Sequence, residues 1–135
     1  MVNFDTLFTN WSPRLLSILR IITAFLFMQH GAQKLFGVLV VPPKTAVELF
    51  SLMGLAGVLE FFGGLLTLLG LFTRPVAFIL SGLMAVGYFM AHAPKGFWPV
   101  INQGELAILY CFVFLYLVAA GRGAWSLDHL RGKRT

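Results

Sequence analysis

The chain has 135 residues, of which 59% are hydrophobic and 11% charged, and its mean hydropathy is +0.86. Soluble domains carry about a quarter charged residues and disordered chains are apolar-poor, so both classes are excluded and the bilayer is the solvent that fits. The net charge of +5 comes from ten Lys/Arg against five Asp/Glu; that is scarcity of acid, not a basic stripe, so nucleic acid is not an expected partner.

Met1 to Arg14 is mixed and carries Asp5, Asn10, Trp11 and Pro13. No cleavable signal peptide is expected, because the following apolar run is too long for an h-region and lacks an A-x-A site. A first span is predicted over Leu15–Phe36, with Trp11 at the interface and Pro13 at the helix start. Gly37 to Lys44 contains Pro42-Pro43 and breaks the pattern. The second span is predicted over Ala46–Phe72, long enough to tilt. Thr73-Arg74-Pro75 is a tight polar turn into a third span, Pro75–Ala91. Ala93 to Asn102 holds Pro94, Gly96 and Pro99 and forms the next break. The fourth span, Gly104–Ala120, ends at Gly121-Arg122-Gly123. Its Cys111 is the single cysteine. It excludes a disulfide framework, a CxxC pair and a Cys-based metal site, and reads as a small apolar filler. Short links imply antiparallel neighbours. The expected fold is therefore all-α: one domain over residues 1–135, an integral membrane up-down-up-down four-helix bundle.

Orientation follows the Lys/Arg distribution. Arg14, Arg20, Arg74, Arg122, Arg131, Lys133 and Arg134 share the side of the termini, against Lys34, Lys44 and Lys95 on the other. This places both termini in the cytoplasm, for a multi-pass protein of a bacterial cytoplasmic (inner) membrane. The tail from Arg131 to Arg134 serves either as topology anchor or as a contact for anionic lipid heads.

The informative residues are the polar ones within the spans. Glu60 lies near mid-membrane, where a charge costs roughly 2.5–3.5 kcal/mol on insertion scales. It must be protonated, paired or in a wet cavity. Ala56, Gly57, Gly63 and Gly64 surround it at helical spacing, so that face admits a close helix or a ligand. Its bland role is a hydrogen bond between helices. His30 and Lys34 are four apart and share one face of the first span with Thr23 and Phe27; Gln29 and Gln33 flank them. Lys34 can snorkel to the interface, whereas His30 serves either as an interhelical donor or in a site. His92 closes the third span, and Asn102-Gln103-Gly104-Glu105 opens the fourth. Asn102 as N-cap with Glu105 at N3 would make a reciprocal cap. The functional alternative is that His30, Lys34, Glu60, His92 and Glu105 converge on one outer-leaflet cavity. Such groups relay protons and hydrogen-bond the oxygens of a quinone or phenol, with Phe residues and Trp98 near the outer rim as apolar walls; most of these aromatics are expected instead to face the bilayer or anchor at its interface. Bis-His haem ligation needs His30 and His92 facing each other at one depth, and a His/Glu metal site lacks diagnostic spacing. Neither haem nor metal is therefore the expected cofactor. There is no Walker loop and no dinucleotide fingerprint.

The stretch His30-Gly-Ala-Gln-Lys34-Leu-Phe-Gly37 resembles a family signature. So do Leu59-Glu60-Phe-Phe-Gly63-Gly64, running on to Thr73-Arg74-Pro75, then Asn102-Gln-Gly104-Glu105, and the tail from Ala120 through Trp125-Ser126-Leu127-Asp128. In this order and spacing they are similar to the DoxX family of small four-helix membrane proteins, over nearly the whole chain. The resemblance implies kinship with the membrane subunit of a thiosulfate:quinone oxidoreductase. It also implies links to redox complexes and to resistance against quinones, catechols or thiol stress. Glu60, Lys34, His92, Asn102 and Glu105 match the family's polar motif positions; His30 stands at a variable one. With no partner domain fused, thiosulfate oxidation by this chain alone is not expected. Two function classes follow. One is a redox-associated subunit binding a quinone or small aromatic, with Glu60, His92 and Glu105 as the reacting groups, His30, Lys34 and Asn102 as ligand-binding ones, and a redox partner protein. The other is a non-catalytic membrane module that binds lipid or a small solute, or scaffolds a partner.

Overall fold

Asn3 opens the first helix of the computed structural model, which describes Met1 and residues 3–132. Lys133 and Arg134, counted in the orientation and the basic tail, lie outside the described residues. The Asn3 side chain accepts the Asp5 N–H at 3.1 Å, and Asp5 places negative charge in the first turn of α1 (Phe4–Phe36). Both features favour a helix N-terminus. The helix thus starts well before Leu15 and passes through Pro13, which the sequence pattern placed at the helix start. An interior proline costs about 3 kcal/mol. Its carbonyl is used twice here, by the Ser17 hydroxyl at 3.0 Å and by the Ala124 N–H at 3.1 Å.

The second helix, α2 (Leu52–Leu69), starts later than Ala46. The Val47 N–H is taken by the Lys34 carbonyl at 2.8 Å, and Ser51 instead caps the helix by accepting the Gly54 N–H at 3.0 Å. Then come α3 (Thr73–Lys95), the short α4 (Pro99–Asn102), α5 (Glu105–Ala120) and the short α6 (Leu127–Leu130). The protein is all-α. α1, α2 and α3 are each long and apolar enough to cross a membrane, and α5 is a shorter apolar helix. α2 packs on α1 and α3 on α5, and Phe27, Leu80, Tyr110, Phe114 and Leu117 form the core between the pairs. Phe27 sets its ring edge-on to Phe114 at 4.9 Å and to Tyr110 at 5.1 Å.

Glycine sets the approach of α1 and α2. A Cβ on Gly31 would sit 2.4 Å from the Phe61 backbone nitrogen, and one on Gly64 would sit 2.6 Å from the Met28 side chain. In lipid, association of helices depends on such close packing, because the acyl chains are as apolar as leucine.

At the end of the bundle that carries both termini, backbone groups need partners that the membrane cannot provide. Arg20, which counted only as an orientation charge in the sequence, is 1% exposed. It donates to the Thr67 carbonyl at 2.9 Å and to the carbonyls of Arg122 and Trp125. Ser17 accepts the Trp125 N–H at 2.9 Å. Asp128 accepts the N–H groups of Phe72 and Thr73, both at 3.1 Å, and so caps α3 from the far end of the chain. Phe72 stands at φ +51°, a region bulky residues rarely occupy, and the Arg131 guanidinium lies 5.5 Å from its ring centroid.

Burial alone would raise the Asp128 carboxyl. The backbone bonds from Thr73 and Phe72, the Thr73 hydroxyl and the charge of Arg122 outweigh it and hold the group below its ordinary 3.8. A lowered carboxyl stabilises the fold fully above the unfolded value, and the contribution is lost as pH falls through the folded one. Asp128→Ala should destabilise the detergent-solubilised protein by about 2–4 kcal/mol, because two helix-end N–H groups lose a charged acceptor. In thermal melts, the wild type should lose stability below pH 3.8, and Asp128→Asn should show a flatter acid limb.

Candidate functional site

Glu60 sits midway along α2 and is 4% exposed. Its Oε2 lies 2.6 Å from the Lys34 Nζ of α1. Lys34 is in the last turn of its helix, where a cation also meets the carbonyl end of the helix dipole. Gly57 lets the pair form: a Cβ there would already stand 3.0 Å from the Lys34 Cβ. Of the three options for a mid-membrane carboxylate, the structure takes pairing.

The pair borders a cavity of about 370 Å³ between the helices, at the small end of the roughly 300–1,000 Å³ typical of ligand sites. Phe27, Met53, Leu83, Met84 and Leu106 supply apolar wall, while His30, Lys34, Glu60, His92 and Tyr110 supply polar groups. Glu60 and His92 each lie in a single π-helical turn, Leu59–Gly63 and Tyr88–His92. Such a turn adds a residue to the helical register and is frequent at functional sites. The second ends where Ala93 N–H bonds the Tyr88 carbonyl; Pro94, which has no N–H to give, is the sequence signal for it.

The ring nitrogens have defined roles. His92 Nδ1 is 3.0 Å from the Asn102 carbonyl. A carbonyl only accepts, so Nδ1 carries a proton, and in the neutral ring Nε2 is the acceptor. His30 is half-buried, with its ring edge-on to Tyr110 at 6.1 Å. Neither the His30 ring nor the Tyr110 hydroxyl makes a hydrogen bond among the described residues.

Four of the residues expected at one site therefore meet: His30, Lys34, Glu60 and His92. Two do not line the cavity. Glu105 is the first residue of α5 and exposed. Asn102 is buried as an organiser of the loop beyond α3. Its amide donates to the Tyr88 hydroxyl at 3.1 Å and the Gly96 carbonyl at 2.8 Å, and its Oδ1 accepts the Gly104 N–H at 2.8 Å. The reciprocal cap between Asn102 and Glu105 does not form, because Gln103 at φ +60° turns the chain and Gly104 becomes the cap of α5. The cavity walls draw on few of the aromatics. Trp98 is 63% exposed and outside them, and the wall is mostly Met, Leu and Ala, with Phe27 its one phenylalanine. Tyr110 escaped the sequence reading because a tyrosine in an apolar run has no marker until its neighbours are known. Among the described residues no group of three or more His, Cys, Asp or Glu side chains converges to hold a metal ion.

The DoxX family profile matches residues 15–93, the stretch that carries the ion pair and both cavity histidines. The chain belongs to the DoxX family. It is 46% identical over 124 residues to an uncharacterized protein of Haemophilus influenzae, covering 88% of this chain and 92% of that one. It is 27% identical over 135 residues to an uncharacterized membrane protein of Mycobacterium tuberculosis, covering 86% of this chain and 80% of that one. No solved structure matches it. In this DoxX protein Asn102, Glu105 and Tyr110 fall beyond the matched stretch.

Removing one partner of a buried ion pair strands the other, at about 3–5 kcal/mol, whereas replacing both with apolar groups is often neutral. Glu60→Leu and Lys34→Met should each lower stability in detergent by that order. The double variant should return most of it, which a thermodynamic cycle measures. If the double variant is as unstable as the sum of the singles, the pair is not coupled.

Proposed function

We propose that this DoxX-family membrane protein is a redox-associated subunit that binds a quinone, or a small aromatic of that type, in the cavity beside Lys34 and Glu60. One observation carries the reading: a small apolar-walled cavity collects a cationic donor, a carboxylate, an imidazole acceptor and an unpaired phenol. Such a ligand needs apolar wall for its ring, donors for its carbonyl oxygens and a proton route when it is reduced. Lys34 and Tyr110 donate to a carbonyl oxygen. His92 Nε2 accepts from a hydroxyl, and Glu60, once its lysine turns to the ligand, exchanges protons. His30, unpaired at the same cavity, serves either as donor or as acceptor. Electrons would come from a partner redox protein. The mostly aliphatic wall supports a second reading, in which a lipid acyl chain occupies the cavity and the protein is a non-catalytic binding module.

Titration with a short-chain quinone should raise the thermal stability of the purified wild type, because a ligand bound only to the folded state must do so. The shift should shrink in Glu60→Gln and His92→Ala. An equal shift in all three proteins would place the ligand elsewhere. No shift, with only phospholipid in an extract of the purified protein, would leave the lipid reading.

The Lys/Arg asymmetry supports a cytoplasmic location for both termini in a bacterial inner membrane, which turns the cavity toward the opposite face. Reporter fusions after Arg74 and after Pro43 should read opposite sides, with Arg74 cytoplasmic. A reversed pattern would move the cavity to the cytoplasmic half.

A further inference from the structure

α1 presents two faces. Ser17, Arg20, Thr23, Ala24 and Phe27 are buried in the bundle. Phe4, Phe8, Trp11, Leu15, Ile18 and Ile22 form a second row, and all six are exposed. Within hydrocarbon such exposure is ordinary, because lipid covers an apolar face as well as a helix does. The start of the row is different. The bundle ends near Ser17 and Arg20, where the segment after α5 crosses α1. From Phe4 to Ser12 the helix reaches on the order of 14 Å farther, at about 1.5 Å per residue. Every residue of this extension is exposed, and none bonds to another element. Phe4 is 65%, Phe8 64% and Trp11 44% exposed, while Asp5, Thr6, Thr9 and Asn10 make the remainder polar. Within the described residues the row meets only itself and Arg14: Phe4 and Phe8 stack at 6.4 Å and the Arg14 guanidinium lies 5.2 Å from the Trp11 ring centroid, which leaves most of its surface open.

We propose that a second copy of this chain covers it, the two α1 helices pairing in parallel about a two-fold axis along the membrane normal. Copies inserted with one orientation can only meet in parallel along α1. The row advances by four, three, four, three and four residues from Phe4 to Ile22, which is the seam spacing of paired helices in a left-handed supercoil. The same seam runs without interruption from the extension into the spanning part, since α1 is one helix from Phe4 to Phe36. With Trp11 at the interface, the helix carries Phe8 and Phe4 roughly 5 and 10 Å farther from the acyl chains at about 1.5 Å per residue, so the headgroup surface is the less suited cover for the whole row. The row exposes on the order of 600 Å² per copy, taking roughly 150–250 Å² for a whole aromatic side chain. A groove of about 430 Å³ flanks it, between Phe8, Leu15, Leu19 and Tyr116 of α5. Filling that groove brings the buried area toward the roughly 800 Å² per partner of a stable dimer.

The test is oxidative crosslinking in native membranes. In a Cys111→Ala background, Phe8→Cys and Leu15→Cys should give a band at twice the monomer mass. Thr6→Cys and Asn10→Cys, on the other side of the helix, should give at least tenfold less. Thr6, Phe8, Asn10 and Leu15 are all exposed in the monomer, so these variants leave its fold in place. Phe4→Asp combined with Phe8→Asp should abolish the Leu15→Cys crosslink. Absence of crosslinking at Phe8 and Leu15, or equal yield on both sides, overturns the proposal. Quenching of a fluorophore at residue 8 by brominated lipid, without a crosslink, would overturn it in favour of the membrane surface.

Discussion

A carboxylate in the middle of an apolar helix has no partner in hydrocarbon, and Glu60 imposes that constraint on the bundle. Lys34 meets it at 2.6 Å across the α1–α2 contact. Gly31 makes that contact possible, since a side chain there would collide with the Phe61 backbone, and Gly57 leaves the Lys34 and Leu35 side chains room that a Cβ would crowd. The pair and the glycine contacts lie in one interface between the first two helices. The space left between them and the α3–α5 pair is the cavity, bordered by Lys34 and Glu60 and by His30, His92 and Tyr110.

The opposite end solves a different polar problem. Helix ends leave carbonyls and N–H groups unpaired, and here side chains distant in sequence take them up. Arg20 gathers carbonyls from α2 and from the segment after α5, and Asp128 caps α3. The tail after α5 thus works as a clip across the bundle. It leaves the cavity end to be shaped by two π-helical turns and by the loop that Asn102 organises.

How much of this was legible depends on the range of the interaction. Pairing was one of the three options open to Glu60, and of the two basic residues on the facing stripe of the first helix, His30 and Lys34, it is Lys34 that takes it. Glu105 falls outside the cavity lining for a local reason: Gln103 takes a left-handed conformation and Gly104, not Asn102, caps α5. Arg20 looked like a topology charge because its three acceptors are backbone carbonyls, and carbonyls carry no sequence signature. Pro13 looked like a helix start because the cap that begins the helix, Asn3 with Asp5, sits in a stretch without an apolar run.

The sequence by itself determined the solvent, the helical class, the antiparallel order of the spans and the need to neutralise Glu60. Those follow from composition and from the free energy of single groups in hydrocarbon, which no packing detail can reverse. Only the tertiary structure decided which polar groups share a space. It joined Lys34 to Glu60, set the His92 Nδ1–H on the Asn102 carbonyl, and brought Tyr110 to the cavity while leaving Glu105 outside. The reason is rotational. A π turn or a displaced cap changes the azimuth of every following side chain, and hydropathy is blind to azimuth once a helix is apolar all round.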